Sequence, residues 1–305
     1  MCIRDSTNTN NIDPEILKEK QSQRVIIIDK LKAGIKKYPI DEINMVIRML
    51  GRYQYIDDIF SIIDTMNDQK YYPNDETYEF LTNSLVYTVD EIAKSTSMTE
   101  LPSSKNAPEI LFAGRSNVGK SSLVNFLVNR KALASTSATP GHTKQFHFFH
   151  INKDYQNIPS FYFVDVPGLG YAEAEEGQKD SWRSFFERYI AVREPFALLF
   201  HLIDARHKIT SVDEQMISIA LRAQSIRRTN NRKPFQYALV LTKTDKASEK
   251  QLKETINDAK TLSEKLKLEL DIKTEIPIIL TSTFSKVGKV DVWKLLYKSI
   301  IGTNL

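Results

Sequence analysis

At 305 residues, 41% hydrophobic and 26% charged, the chain has the composition of a globular protein with room for one large domain or two smaller ones. It holds no uninterrupted apolar run long enough to span a bilayer, so no membrane partner is expected. Its single cysteine, Cys2, excludes an internal disulfide and points to a reducing compartment, while a net charge of +4 is compatible with an RNA partner without requiring one.

Residues 1–11 are polar, match neither a signal peptide nor an Arg-rich transit peptide, and read as a disordered tail; the natural N-terminus is expected to lie further upstream. Residues 12–97 show no strand-like alternation and read as an all-α extension. Ile26, Ile27, Leu31 and Ile35 fall at helical spacing up to Tyr38-Pro39. Asp41 opens a second segment carrying Ile43, Val46, Ile47 and Leu50, which Gly51 is expected to stop. Ile56, Ile59, Phe60, Ile63 and Met66 mark a third, and Asp75 opens a fourth with Thr77, Tyr78, Leu81 and Leu85. Aligning the second with the fourth gives a period of 35 residues, Ile43 with Tyr78, Val46 with Leu81 and Leu50 with Leu85. Paired helices at that period are the sign of a helical-hairpin repeat. Two readings stay open: a repeat, and a plain helical extension packed on the next domain. Residues 98–107 mix Thr, Ser, Pro, Lys and Asn and read as a linker.

From residue 108 to 305 strand-like apolar runs alternate with helical patterns. The runs Ile110–Ala113, Phe146–Ile151, Phe161–Val164, Ala197–Ile203, Tyr237–Leu241 and Pro277–Leu280 are the expected strands. Helices are expected from about Lys120, Ser181, Asp213, Ser248 and Asp291. This order specifies an α/β fold, a mostly parallel sheet between two layers of helices, with ligand loops at the carboxyl ends of the strands.

The candidate site residues fall at those ends. Gly114-Arg115-Ser116-Asn117-Val118-Gly119-Lys120-Ser121-Ser122 has the spacing G-x-x-x-x-G-K-S between a strand and a helix, the context of a phosphate-binding loop. Its glycines let backbone N–H groups curl around an anion, with the positive end of the following helix behind them. Lys120 is expected at the β/γ-phosphates and the Ser121 hydroxyl on Mg²⁺. Asp165-Val166-Pro167-Gly168 follows the next parallel strand. Asp165 is placed to hold Mg²⁺ through water, and the Gly168 N–H to sense a γ-phosphate. The polar, turn-rich segment 136–144 reads as a mobile first switch, with Thr143 ahead of Thr139 as its Mg²⁺ and γ-phosphate residue. Thr242-Lys243-Thr244-Asp245 ends another strand. It resembles the guanine-recognition motif of GTPases, usually Asn-Lys-x-Asp, which implies that the Asp245 carboxylate accepts from the guanine N1–H and 2-amino group, donors that adenine lacks, and that the Lys243 stem can lie over the base. Thr281-Ser282-Thr283 ends the last strand and is similar to the last guanine loop of GTPases, which implies a backbone N–H, that of Ser282, at the guanine oxygen. The expected nucleotide contacts are thus Gly114, Asn117, Val118, Gly119, Lys120, Ser121, Ser122, Thr242, Lys243, Asp245, Thr281, Ser282 and Thr283. Lys120, Thr143 and Gly168 act on the γ-phosphate, and Ser121, Thr143 and Asp165 hold the metal.

Together with Thr139-Pro140-Gly141-His142-Thr143, Asp165 through Ala172 and Leu202-Ile203-Asp204-Ala205-Arg206, these motifs resemble the EngB (YihA/YsxC) GTPases over about 108–301. The resemblance implies a P-loop NTPase of Ras-like GTPase fold that binds GTP or GDP with Mg²⁺ and hydrolyses GTP. It also implies a role in assembly of the large ribosomal subunit, with its rRNA or pre-ribosomal particle as partner. Asn117 stands where related GTPases hold K⁺, beside the simpler reading that it shapes the loop. Leu169 stands where the family usually has an aromatic, and His142 where it often has a basic residue. The phrase from Asp41 to Gly51, Asp57-Asp58, Met66 and Pro73-Asn74-Asp75 resembles a pentatricopeptide repeat, a family that reads single-stranded RNA. Asn44 and Glu79, near the starts of their helices, are the residues that would face it. Both resemblances fit a monomer in a mitochondrion or plastid, with the cytoplasm as the alternative.

Many GTPases orient the attacking water with a Gln just after D-x-x-G. Leu169 cannot hydrogen-bond, so intrinsic hydrolysis is expected to be slow and to need an activator. The rival reading is an RNA-binding adapter whose nucleotide never turns over. Arg222, Arg227, Arg228, Arg232 and Lys233 form a basic run that reads either as an rRNA contact or as a solvated helix end. The histidines His142, His147 and His150 cluster without a zinc-binding pattern.

Overall fold

The computed structural model describes residues 14–103, 107–130, 133, 145–155, 158–168 and 176–302, and divides the chain into two compact units that meet between Leu85 and Val86.

The first unit contains four α-helices among its described residues: α1 (Pro14–Ala33), α2 (Ile40–Arg52), α3 (Ile56–Asp68) and α4 (Asp75–Leu85). Ile43, Ile47 and Leu50 of α2, Ile59, Ile63 and Met66 of α3 and Leu81 of α4 are buried, as their spacing requires. On α1 the buried residues are Ile28 and Leu31, whereas Ile26 and Ile27 are 52% and 59% exposed. Helical periodicity cannot choose among the adjacent residues Val25 to Ile28, all apolar; packing does. Gly51 does not stop α2, which continues through Arg52. A Cβ at Gly51 would stand 1.9 Å from Ser84 Oγ, so the residue is small to let α2 and α4 cross closely. Gln54, in the left-handed region at φ 59°, follows and donates to the Gly51 and Ser84 carbonyls at 3.0 and 3.1 Å. Asn44 does not face outward. It is buried and donates to Asn74 Oδ1 at 3.0 Å and Glu76 Oε2 at 3.1 Å, while its own oxygen accepts from Thr77 Oγ1 at 2.6 Å. This network ties the start of α2 to the start of α4. Glu79 remains exposed.

The second unit is a seven-stranded sheet in the order β1-β3-β4-β2-β5-β6-β7. The strands are β1 (Val89–Ser95), β2 (Glu109–Gly114), β3 (Phe146–Ile151), β4 (Phe161–Asp165), β5 (Phe196–Asp204), β6 (Gln236–Thr242) and β7 (Ile278–Leu280). β4, β2, β5, β6 and β7 pair in parallel, and β3 and β1 add an antiparallel edge. β1 corrects the expectation that residues up to 97 are helical. Only its ends, Val89 and Ser95, are buried, and its pairing with β3 is bulged between Glu91 and Ala93. An edge strand with one weakly buried face carries no alternation to read.

Helices α6 (Glu176–Val192), α7 (Ser211–Thr229) and α8 (Glu249–Glu269) cover one face, and α5 (Lys120–Leu127) and α9 (Lys289–Ile301) the other. Alternate residues of β2 supply both cores: Leu111 and Ala113 join Phe185, Tyr189 and Met216, while Phe112 meets Phe163 and Phe200 at 5.0 and 5.5 Å between ring centroids. Trp182, Phe185, Phe186 and Tyr189 of α6 stack on this core and on Phe146, the packing role that their helical spacing indicates. The parallel strands therefore end together on one edge, where β2, β4, β5, β6 and β7 release their loops.

Candidate functional site

The loop after β2 turns on backbone conformations that few residues adopt. Gly114 has φ +151° and lies so close to β5 that a Cβ would sit 2.5 Å from the Leu202 carbonyl oxygen; Gly119 has φ +111° and Asn117 φ 59°. The turn delivers the chain to α5, whose N-terminus has no side-chain cap. The N–H groups of Gly119, Lys120, Ser121 and Ser122 have no acceptor among the described residues. Uncapped donors at the positive end of a helix form an anion cradle.

Lys120 is buried, and its ammonium donates to the Gly114 and Arg115 carbonyls at 3.3 and 3.1 Å. Burial pushes its pKa down, and Asp165 partly opposes this. Ser121 Oγ donates to Asp165 Oδ2 at 3.0 Å. Asp165 is itself buried, and its other oxygen, Oδ1, has no hydrogen-bond partner among the described residues. Burial pushes this carboxyl up, against the pull of Lys120 and the Ser121 hydrogen bond. A hydroxyl beside a carboxylate with an open oxygen is a donor set that suits Mg²⁺. Gly168, at the end of the same loop, packs on the phosphate loop: a Cβ there would lie 2.7 Å from both N and Cα of Ser116. Ser122 is exposed just beyond the turn, and Val118 is buried beneath it. Thr143, its alternative Thr139, and Leu169 lie outside the described residues.

The base-recognition side is wired to the phosphate loop. Thr242 is buried, and its hydroxyl donates to the Val118 carbonyl at 2.7 Å, so it braces the loop rather than facing a ligand. Lys243 has φ 58°; its ammonium donates to the Asn117 carbonyl at 2.7 Å and to Asp204 Oδ2 at 2.9 Å. Its aliphatic stem therefore spans from β6 to the phosphate loop. Asp204, the last residue of β5, also takes two hydrogen bonds from the Arg206 guanidinium, at 2.9 and 2.7 Å. Burial alone would raise its pKa, but the hydrogen bonds from Arg206 and Lys243 outweigh it and hold the carboxyl well below the usual range. Asp204 is a member of the site to which the sequence, although its Leu202–Arg206 stretch carries part of the family resemblance, assigns no role. Its signal is a lone acid at the end of a buried strand in which His201 is the one other polar residue.

Asp245 is exposed, and Ser282 Oγ donates to its Oδ1 at 2.6 Å. The same Ser282 oxygen accepts from the N–H groups of Phe284 and Ser285, at 3.2 and 3.0 Å. The expected role of Ser282 needs correction. Its own N–H donates to the Val287 carbonyl at 3.1 Å and is not free for a ligand. The adjacent N–H, that of Thr283, has no acceptor among the described residues and lies on the exposed side of the turn. Ser282 orients Asp245, Thr283 offers the open donor, and Thr281 is buried, with its carbonyl accepting from the Thr244 N–H and hydroxyl at 3.2 and 3.1 Å.

Arg227, Arg228 and Arg232 of the basic run have partners within the chain, although only Arg227 is buried. Arg227 is fully buried and donates to the carbonyls of Lys233, Ile190 and Arg193, closing the end of α6. Arg228 donates to the carbonyls of Leu270 and Asp271, and Arg232 pairs with Glu194. Arg222 stays exposed. His147 pairs with Glu91 at 3.0 Å and His150 with Ser160 at 2.7 Å.

Comparison with known proteins places this arrangement. A family model described as a 50S ribosome-binding GTPase matches residues 109–243. A probable GTP-binding protein EngB of Clostridium perfringens is 38% identical over 196 residues, which cover 64% of this chain and 88% of that protein. A protein of the same description from Prosthecochloris aestuarii is 43% identical over 160 residues, 52% of this chain and 75% of that one. A crystal structure of a probable GTP-binding protein engB aligns over 64% of this chain and 99% of that chain, at 19% identity and a TM-score of 0.43.

Proposed function

Because the chain belongs to the EngB family of GTP-binding proteins and is a GTPase, we propose that it works as a GTP-timed switch in assembly of the large ribosomal subunit, within an organelle. The observation that carries the switch is the contact between the two phosphate-sensing loops. Gly168 lies against Ser116 with no room for a side chain, and Asp165 of the same loop reaches Ser121. A γ-phosphate seated over α5 is therefore within reach of both loops, and its loss removes a shared partner.

The residues divide the work. The N–H groups of Gly119, Lys120 and Ser121 receive the phosphates, and Lys120 exchanges its two carbonyl partners for phosphate oxygens, relieving a buried charge. Ser121 and Asp165 hold Mg²⁺, which when bound neutralises charge on the phosphates. Asp245 accepts from the guanine N1–H and 2-amino group, the Thr283 N–H meets the guanine oxygen, and the Lys243 stem forms the floor under the base. Positioning and charge neutralisation supply most of phosphoryl-transfer catalysis. With Leu169 where a water-orienting residue often stands, the missing part comes from outside, from the pre-ribosomal particle. The ribosomal setting is supported by the description of the matching family. The organellar setting rests on the separate helical unit that precedes the GTPase unit.

Single-turnover GTP hydrolysis, with and without purified large-subunit precursor particles from organelles, tests the proposal. Stimulation of at least about ten-fold, abolished by Lys120→Ala, is the expected result. Tight GTP binding with a rate that the particles leave unchanged overturns the switch in favour of a non-hydrolysing adapter.

A further inference from the structure

Phe284 is 84% exposed, in the turn that carries the base-recognition contacts. The turn is stiff. Its closing bond runs from the Ser282 N–H to the Val287 carbonyl at 3.1 Å, Lys286 sits in the left-handed region at φ 60°, and the Phe284 N–H is anchored on Ser282 Oγ. That oxygen is the one that donates to Asp245 at 2.6 Å. Phe284 thus starts from a point two hydrogen bonds away from the carboxylate that grips the guanine edge. A single exposed aromatic is unremarkable on an ordinary surface. Here its backbone is held next to Asp245, where the guanine reading brings a flat heteroaromatic ring, and the Lys243 stem, fixed by two hydrogen bonds at its ammonium, supports only one side of that ring.

We propose that Phe284 closes over the guanine opposite the Lys243 stem and sets how long the nucleotide stays bound. The inference rests on the guanine-nucleotide reading of the site and adds to it a residue that controls release. A base held at its edge by Asp245 and the Thr283 N–H is fixed in its plane but still open on one face. Stacking of an aromatic side chain on a nucleobase contributes about 1–3 kcal/mol and is indifferent to the edge groups of the base. Phe284 therefore acts on residence time, whereas Asp245 acts on identity. The ordered turn lets the ring close without first ordering its backbone, so little of the stacking energy is offset by entropy.

The test is GDP dissociation from the full chain, followed by displacement of a ribose-labelled fluorescent GDP by excess unlabelled GDP, with labelled IDP run in parallel. Hypoxanthine lacks the 2-amino group but keeps the stacking face. Phe284→Ala is expected to speed release of GDP and IDP by the same factor, about ten-fold, and Phe284→Tyr to restore the slow rate. Ser282→Ala, which frees Asp245, is expected to speed GDP release more than IDP release. Release rates for Phe284→Ala within two-fold of wild type would overturn the inference, as would acceleration of GDP release alone, which would make Phe284 a support for Asp245. Absence of GDP binding by the wild-type chain would instead overturn the reading on which the inference stands.

Discussion

Asn44 in the helical unit and Asp165 in the sheet unit are both buried polar side chains, yet they are satisfied to different degrees. Asn44 has partners on Asn74, Glu76 and Thr77. Asp165 accepts from Ser121 on one oxygen and has nothing on the other among the described residues. Buried polar groups are normally hydrogen-bonded, so each case carries information. A complete network fixes the joint between two helices. An incomplete one, beside uncapped N–H groups and a buried ammonium, is a set of interactions waiting for a charged ligand. The helical unit spends its polar groups on itself, and the sheet unit keeps some in reserve.

The sharpest way to break this contrast is to remove a reserved group. Lys120→Ala should weaken GDP and GTP binding on the order of 100-fold, read by calorimetry, since a charged donor aimed at phosphate oxygens is lost from a buried site. It should leave the thermal midpoint of the nucleotide-free chain unchanged or raised, because the lysine is a desolvated charge there. A large loss of stability without nucleotide would mean that Lys120 is structural, like Asn44.

The converse change removes a spent group. Asn44→Ala removes the three side-chain hydrogen bonds that tie α2 to Asn74, Glu76 and Thr77, while Asn74 and Thr77 keep their bonds to each other, and should destabilise the helical unit by about 1–3 kcal/mol in urea unfolding, with nucleotide affinity within two-fold of wild type. Gly51→Ala belongs to the same class, since its Cβ would overlap Ser84, and should cost about 1–3 kcal/mol. Loss of nucleotide binding in either variant would erase the distinction between the two units.

Asp204 offers a smaller, graded test within the sheet unit. Its folded pKa is depressed, so its contribution to stability is fully present above the ordinary carboxylate pKa of about 4 and is lost as pH falls further. The stability gap between wild type and Asp204→Asn should stay constant from pH 8 to about pH 5 and narrow in more acid solution. A gap that already closes near neutrality would mean that the bonds from Lys243 and Arg206 do not hold the ionised form.

The contrast also explains what the sequence made legible. The parallel strands, the phosphate loop, Asp165 and Asp245 could be read because long apolar runs ending in glycine or acid are local patterns. β1 could not, because an edge strand with its middle exposed has no period. Nor could the exchange of roles between Ser282 and Thr283, which depends on where a turn closes: the bond from the Ser282 N–H to Val287 decides it, and no side-chain type reports it. Position in a repeat points Asn44 outward, and a glycine after a periodic run reads as a helix stop at Gly51. Their actual roles come from α4, some thirty residues away, and long-range packing is what local patterns omit. The same holds for Arg227, whose charge suggested a surface but whose partners are the carbonyls at the end of α6.

The most direct test of the account is nucleotide choice at Asp245. Xanthine carries a carbonyl where guanine carries its 2-amino group, so an amide in place of the carboxylate can accept from N1–H and donate to that oxygen. In competition binding with GTP, ATP and XTP, the wild-type chain should prefer GTP by on the order of 100-fold or more, and Asp245→Asn should prefer XTP. Equal binding of GTP and ATP by the wild type, or a ranking that Asp245→Asn leaves unchanged, would contradict the assignment of this site to guanine nucleotides.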